Sequence, residues 1–264
     1  MATRKSSENK LLHFSVSGHG PVIILLHGFL ESGEIWKNFV RRLAKSFRVI
    51  TIDLPGHGES DTIRPVQTID HMAEAVGQVV KALSIHQCIM VGHSMGGYVT
   101  LAFADKYPKL LRGIVLFHSH AGADSPEAMK NRDRTISLVE NDHHGFIKNF
   151  IPGLFDPENV DKFQQEILVL KALADKTPKE GIIAALKSMK DRPDRQHVLI
   201  NSKVPVLFII GKKDSRIPME LILPQSLLPP HAELLLLDHV GHMGFIEASN
   251  KTFSTLKSFT ERFS

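Results

Sequence analysis

The sequence predicts an α/β protein, a mostly parallel β-sheet with helices on both faces. Three observations lead there. Short, continuously apolar runs recur along the chain, as expected of strands buried on both faces. Segments with apolar residues at helical spacing separate them. The two kinds of segment alternate, which is the pattern of parallel strands joined by crossover helices, with ligands at the carboxyl ends of the strands. At 264 residues and 42% hydrophobic content the chain can fill a sizeable core as one compact unit.

Leu11 to Val16 reads as a short edge strand, closed by the turn Gly18-His19-Gly20-Pro21. The first buried strand is Val22-Ile23-Ile24-Leu25-Leu26, ending at His27-Gly28-Phe29-Leu30. Ile35, Trp36, Phe39, Val40 and Leu43 then recur at helical spacing. Val49-Ile50-Thr51-Ile52 is the next strand, and it runs into Asp53-Leu54-Pro55-Gly56-His57-Gly58-Glu59-Ser60. Ile69, Met72, Ala73, Val76, Val80 and Leu83 mark a second amphipathic helix. Cys88-Ile89-Met90-Val91 is a buried strand followed by a helix-compatible run from Tyr98 to Lys106. Ile114-Val115-Leu116-Phe117 closes the first half, ending at His118.

From about Ala121 to Ser202 the rhythm breaks. Helices are expected around Glu127 to Glu140, along Val160, Phe163, Ile167, Leu170 and Ala174, and along Ile182, Ile183, Leu186 and Met189, punctuated by Pro152, Pro157, Pro178 and Pro193. Strands resume at Val206 to Ile210 and Leu234 to Leu237, and a last helix carries Phe253, Leu256, Phe259 and Phe263. The expected organisation is a core of residues 1–120 and 203–264, with residues 121–202 as a helical cap over one sheet edge. The apolar faces of the cap helices predict a mainly apolar pocket beneath it, suited to short or medium acyl groups over charged ones.

Composition excludes several classes. The net charge of +4 comes from scattered residues without basic runs or interleaved aromatics, so no nucleic-acid partner is expected. No apolar run approaches the roughly 18 residues of a membrane helix. The polar start, Met1 to Lys10, lacks a secretory signal, and the single cysteine, Cys88, leaves no disulfide framework. A cytosolic protein acting on a small molecule is the expectation; oligomeric state is not readable. No Gly-x-Gly-x-x-Gly follows the first buried strand, which argues against a dinucleotide cofactor.

The chemistry centres on Gly92-His93-Ser94-Met95-Gly96-Gly97, placed between a buried strand and a helix. In that context Gly-x-Ser-x-Gly is a sharp turn that lifts a serine hydroxyl clear of the sheet. Ser94 is therefore the nucleophile candidate. A serine needs a base to take its proton and a third group to orient that base. Asp214, just past the Val206–Ile210 strand, and His242, framed by Gly241 and Gly244 after the last strand, fit those roles in the chain order serine, acid, histidine. Asp124 is the competing acid, but Gly122 and Ser125-Pro126 around it suggest a place at a helix start. His239 competes with His242, and a glycine-framed loop tip favours His242. An oxyanion needs two amide donors; Met95 supplies one and Phe29, beside Gly28, the other. His27 and His57 suit hydrogen-bonding roles in turns, and His93 packing against the elbow. His118-Ser119-His120 lacks a nearby third ligand in sequence and His143-His144 reads as a solvated helix end, so no metal is expected.

Together His27-Gly28-Phe29, the Asp53–Ser60 segment, the Ser94 elbow, Asp214 and Gly241-His242 resemble the α/β-hydrolase superfamily in its order, over nearly the whole chain. The resemblance implies an α/β-hydrolase fold with a helical cap inserted after the sixth strand, Ser94, Asp214 and His242 as triad, Phe29 and Met95 as oxyanion hole, and no cofactor. Serine in place of aspartate argues against haloalkane dehalogenases and epoxide hydrolases. The segment Lys187–Asp194 is similar to small esterases and enol-lactonases. The expected activity is hydrolysis of a small carboxylic ester, thioester or lactone through an acyl-enzyme. The alternatives are carbon–carbon cleavage of a β-diketone-like substrate with the same triad, or a small-ligand sensor that keeps the fold.

Overall fold

The computed structural model describes residues 12–62 and 67–264. Its sheet has seven strands, β1 (Phe14–Ser17), β2 (Val22–Leu26), β3 (Arg48–Ile52), β4 (Cys88–His93), β5 (Leu111–Phe117), β6 (Val206–Gly211) and β7 (Ala232–Leu237), in the order β1-β3-β2-β4-β5-β6-β7. Only β1 is antiparallel to its neighbour. The central strands β4 and β6 are buried along their whole length, which is why they read as unbroken apolar runs.

The helices in chain order are α1 (Lys37–Leu43), α2 (Ile69–Ala82), α3 (Met95–Lys106), α4 (Pro126–Phe150), α5 (Gln164–Ala174), α6 (Lys179–Lys190), α7 (Gln196–Ile200), α8 (Met219–Ile222), α9 (Gly244–Glu247) and α10 (Ser249–Phe263). Capping fixes several starts. Thr68 accepts the His71 N–H ahead of α2, and Ser125 accepts the Ala128 N–H with Pro126 in the first turn of α4. The helix expected from Ile35 begins as a 3₁₀ turn, Gly33–Trp36, before α1. The one expected to Glu140 runs on to Phe150 as α4, with a break at Asp142, whose φ is −151° and ψ 85°. The edge strand expected from Leu11 is β1; Leu11 itself lies outside the described residues.

Counted over the described residues, the helical segment α4 to α7 follows the fifth strand and not a sixth. Among the described residues the edge next to β3 carries β1 alone, so the count there runs one short of the arrangement the resemblance implied.

Register positions the site. Leu26 of β2 pairs with Gly92 of β4, Gly92 with Leu116 of β5, and Phe117 with Ile209 of β6. The residues just past these strands, His27, Ser94, His118 and the loop after Gly211, therefore emerge side by side along one sheet edge. Trp36, Phe117 and Phe245 pack edge-on or tilted with ring centroids 5.4–6.2 Å apart beneath that edge, a rigid floor. Among the described residues no helix is long and apolar enough to cross a membrane.

Candidate active site

Ser94 sits between β4 and α3 with φ 50° and ψ −116°, a left-handed conformation costly for a residue with a Cβ. The flanking glycines make the turn feasible. A Cβ on Gly92 would lie 2.3 Å from the Gly96 carbonyl oxygen, and one on Gly96 would lie 2.6 Å from that of His27. The turn is pinned by the Ser94 N–H donating to Phe117 O at 3.0 Å and by Ser119 Oγ donating to Ser94 O at 2.8 Å. Along residues 88–104 every position is buried except Ser94, which keeps accessible surface. Strain and packing thus expose one hydroxyl.

Asp214 and His242 meet: Nδ1 of His242 lies 2.7 Å from Oδ2 of Asp214, both side chains buried. His118 Nδ1 reaches the same oxygen at 3.1 Å, and Oδ1 accepts the N–H groups of Arg216 and Ile217 at 2.9 and 3.0 Å. Burial alone would raise the Asp214 pKa. Electrostatic attraction to nearby His242 and the hydrogen bonds from both imidazoles outweigh it and hold the carboxyl well below the usual range. Burial also lowers His118 to about 4, so its ring is neutral near pH 7. Its Nδ1–H is then the donor to Asp214, and its Nε2 is a buried acceptor without a partner among the described residues.

The His242 loop is held from two further directions. Its N–H donates to Leu154 O at 2.6 Å, and its carbonyl faces His93 Nε2 at 3.0 Å. The other nitrogen of His93 lies 2.9 Å from Glu31 Oε2, which also accepts the Gly28 N–H at 2.6 Å. With an acceptor at each nitrogen, His93 is an imidazolium. Burial works against that charge, but Glu31 raises the His93 pKa, and His93 in turn lowers that of Glu31. A buried ion pair so links the loop after β2 to the loop after β7, a larger task than the packing role expected of His93.

On the loop after β2, His27 Nδ1 bonds Gly28 O at 2.7 Å and Nε2 accepts the Leu54 N–H at 2.8 Å, so the ring is neutral and sets the course of Gly28 and Phe29. Burial and His27 bring His57 down to about 3; its Nδ1 faces Pro55 O at 3.2 Å. These are the turn roles expected of them. Met95 opens α3, so its N–H has no acceptor within the helix.

Asp124 is engaged elsewhere: its oxygens receive Arg132 Nε at 2.6 Å and Arg192 Nη1 at 2.5 Å. The helix-start role expected of it falls to Ser125 instead. Exposed His239 sits 3.7 Å from Glu158, away from Asp214. His143 and His144 stand at the break inside α4, with His144 3.1 Å from Asp175. Among the described residues His118, Asp214 and His242 are close enough to be metal ligands, as are Asp156, Glu158 and His239. In the first group the Asp214 oxygen is already bonded directly to both rings.

Ser94 and His242 open onto a shared cavity of about 300 Å³ whose walls include Phe29, Leu186 and Met189. The expectation of a mainly apolar pocket is corrected by the rest of the wall: Asn131, Arg132, Thr135, Ser215 and Arg216 also face it. Helical periodicity finds the apolar faces of α4 and α6 but is silent on which polar residues beside them turn inward. Glu31 was also missed. A single buried acid in a turn leaves no periodic trace, and only its place four residues past His27 hinted at it.

Fold and site together define an α/β-hydrolase enzyme: the chain belongs to the alpha/beta hydrolase fold family, whose sequence model matches residues 21–249. Among its relatives, a pimeloyl-[acyl-carrier protein] methyl ester esterase of Xanthomonas campestris pv. campestris (strain B100) is 26% identical over 257 residues, which is 94% of this chain and 98% of the relative. A 2-hydroxy-6-oxononadienedioate/2-hydroxy-6-oxononatrienedioate hydrolase of Burkholderia vietnamiensis (strain G4 / LMG 22486) is 27% identical over 95% of this chain and 91% of its own. A thermophilic esterase from Thermogutta terrifontis, solved with malate bound, superposes with a TM-score of 0.91 at 30% identity, covering 99% of this chain and 97% of that one.

Proposed function

We propose that this chain is a serine hydrolase that cleaves a small carboxylic ester, thioester or lactone through an acyl-enzyme. The observation that carries the proposal is the 2.7 Å bond between Asp214 Oδ2 and His242 Nδ1, with His242 and Ser94 opening onto one cavity. Asp214 fixes the tautomer: Nδ1–H is committed to the carboxylate, which leaves Nε2 as the base. Nε2 takes the Ser94 proton as Oγ attacks the carbonyl, and the same proton goes to the departing alcohol, thiol or ring oxygen. Water, deprotonated by Nε2, then attacks the acyl-serine and releases the acid and Ser94. The N–H groups of Met95 and Phe29 receive the oxyanion of each tetrahedral intermediate. The amino end of α3 adds a favourable partial charge there. No step needs a cofactor.

In this proposal residues 121–202 act as the cap, since Ala128, Asn131, Leu186 and Met189 from that segment wall the cavity that Ser94 faces. The esterase relatives support the ester class. The hydrolase relative from Burkholderia vietnamiensis supports a second reading, carbon–carbon hydrolysis by the same three side chains. The test is a panel of p-nitrophenyl esters, lactones, acyl thioesters and β-diketones with the parent and Ser94→Ala. Fluorophosphonate labelling mapped by mass spectrometry accompanies it. Turnover of an ester, thioester or lactone, and label on Ser94 only in the parent, are expected. Turnover of the β-diketone alone would move the assignment to the second reading, and activity of Ser94→Ala within tenfold of the parent would remove Ser94 from its role.

A further inference from the structure

The carboxylates around the cavity are all answered. Glu31 is held by His93 and the Gly28 N–H, Asp214 by two imidazoles and two backbone N–H groups, and Asp124 by two arginines. The guanidinium of Arg216 is the exception on the positive side. It faces the same cavity as Ser94 and His242, and among the described residues it has no hydrogen-bond or ion-pair partner for its side chain. It is an exposed residue that packs along one side. Its Cζ lies 4.5 Å from the centroid of the Phe150 ring, and it packs so closely on Gly153 that a Cβ there would come within 2.9 Å of Nη2. Ser215 Oγ donates to Gly153 O at 3.0 Å and ties the loop carrying Arg216 to that turn. Crowding by these neighbours lowers the Arg216 pKa, although nearby Asp214 partly offsets it; a guanidinium stays charged regardless.

Arg132 strengthens the asymmetry. It faces the cavity too, and the one carboxylate that answers it is shared with Arg192. The wall thus presents an excess of positive charge, with one exposed planar fork, packed on Phe150 and Gly153 along one side, free to pair. Bidentate carboxylate recognition is what such a fork does best.

Resting on the ester-hydrolase proposal above, we infer that the substrate carries a free carboxylate in addition to the scissile bond, and that Arg216 anchors it. The backbone N–H of Arg216 bonds Asp214 whatever the side chain, so substitutions at 216 leave that bond available.

The test compares esters differing only in that charge. Monomethyl adipate against methyl hexanoate places the carboxylate on the acyl side. O-butyrylglycolate against propyl butyrate places it on the leaving group. The parent should favour the charged member of one pair in kcat/KM by roughly 10- to 100-fold, the range of a hydrogen-bonded charge pair. Arg216→Gln should remove that preference mainly through KM, Arg216→Lys should restore part of it, and Arg216→Glu should reverse it. Equal or better use of both neutral esters by the parent, or a preference that survives in Arg216→Gln, overturns the inference. A binding arm separates this from failure of the hydrolase proposal. Calorimetry of whichever charged ester is preferred, or of both if neither turns over, is done on Ser94→Ala with and without Arg216→Gln. Loss of about tenfold or more in affinity upholds Arg216 even if no ester is hydrolysed, and unchanged affinity sinks it even if esters are.

Discussion

His118 Nδ1 and Asp214 Oδ2 are joined at 3.1 Å on the very oxygen that His242 Nδ1 reaches at 2.7 Å. His118 leaves β5 in a left-handed conformation, φ 49°, which turns its ring into the sheet edge beneath Asp214. The carboxylate is thereby fixed from below, and its orientation does not depend on His242 alone.

His118→Leu should consequently lower both stability and turnover. It leaves a buried charged oxygen one donor short, a loss of about 1–3 kcal/mol. His118→Asn can present an amide N–H near the Nδ1 position and should recover most of both. Thermal melts and kcat on a shared ester check this. Equal effects of Leu and Asn would mean that ring volume, and not the hydrogen bond, matters at this position.

Most of the architecture was legible because double-sided burial writes itself plainly into sequence. β2 and β6 are apolar throughout, β4 and β5 carry the apolar runs Cys88–Val91 and Ile114–Phe117, and α2 and α10 show one buried face each. The elbow was legible because the steric demands at Gly92 and Gly96 admit no side chain. Glu31, the Asp214 contact of His118, and Arg216 were not. Glu31 and His118 each have a partner far along the chain that is brought near only by the fold, as the pairing of Leu26 with Gly92 brings Glu31 to His93, and Arg216 lies in a loop without periodicity. The strands ahead of the helical segment were legible too, five being expected before residue 121 and five described there; only the sixth-strand placement implied by the family resemblance differs.

The elbow itself predicts a folding defect. Gly92→Ala would place a methyl 2.3 Å from a backbone oxygen of α3, where no flexible side chain can give way. A cost of about 3 kcal/mol or more is expected, at the upper end for overpacking. Soluble yield and denaturant midpoint should both fall. A variant with parental stability would mean that the turn has far more slack than this geometry allows.

Acid should weaken the fold before carboxylates titrate. Burial holds His57 down to about 3, and His118 and His120 to about 4. Their unfolded values are near 6.5. Between those limits the unfolded chain binds more protons, so stability falls as pH drops from about 6.5. His93 has the opposite sign: its raised pKa contributes stability that is fully present below about 6.5 and is lost as pH climbs through the folded value. Tm should therefore peak near neutrality and already decline by pH 5. Proton uptake on unfolding at pH 5.5, read by calorimetry in buffers of different ionisation enthalpy, is the direct check, and release of protons there would contradict it.

On the proposed mechanism, two aspartates separate catalysis from stability. Asp214 meets His242, whereas Asp124 meets Arg132 and the buried Arg192. Asp214→Asn can still occupy the space, but it loses the charge that fixes the His242 tautomer and stabilises its imidazolium. In a comparable triad that change costs about 10⁴ in kcat. Asp124→Asn strands Arg192, whose side chain is 2% exposed, as an unanswered charge. Removing one partner of a buried pair typically costs about 3–5 kcal/mol. The penalty should show as a lower Tm, larger than a helix-start aspartate would give, while the folded fraction keeps its turnover at permissive temperature. Measured side by side, the two variants should therefore fail in different assays: Asp214→Asn in kcat with a modest change in Tm, Asp124→Asn in Tm with kcat within about tenfold of the parent. If Asp124→Asn instead abolished turnover at full stability, the carboxylate orienting His242 would have to be reassigned, with Ser94 and His242 left in place.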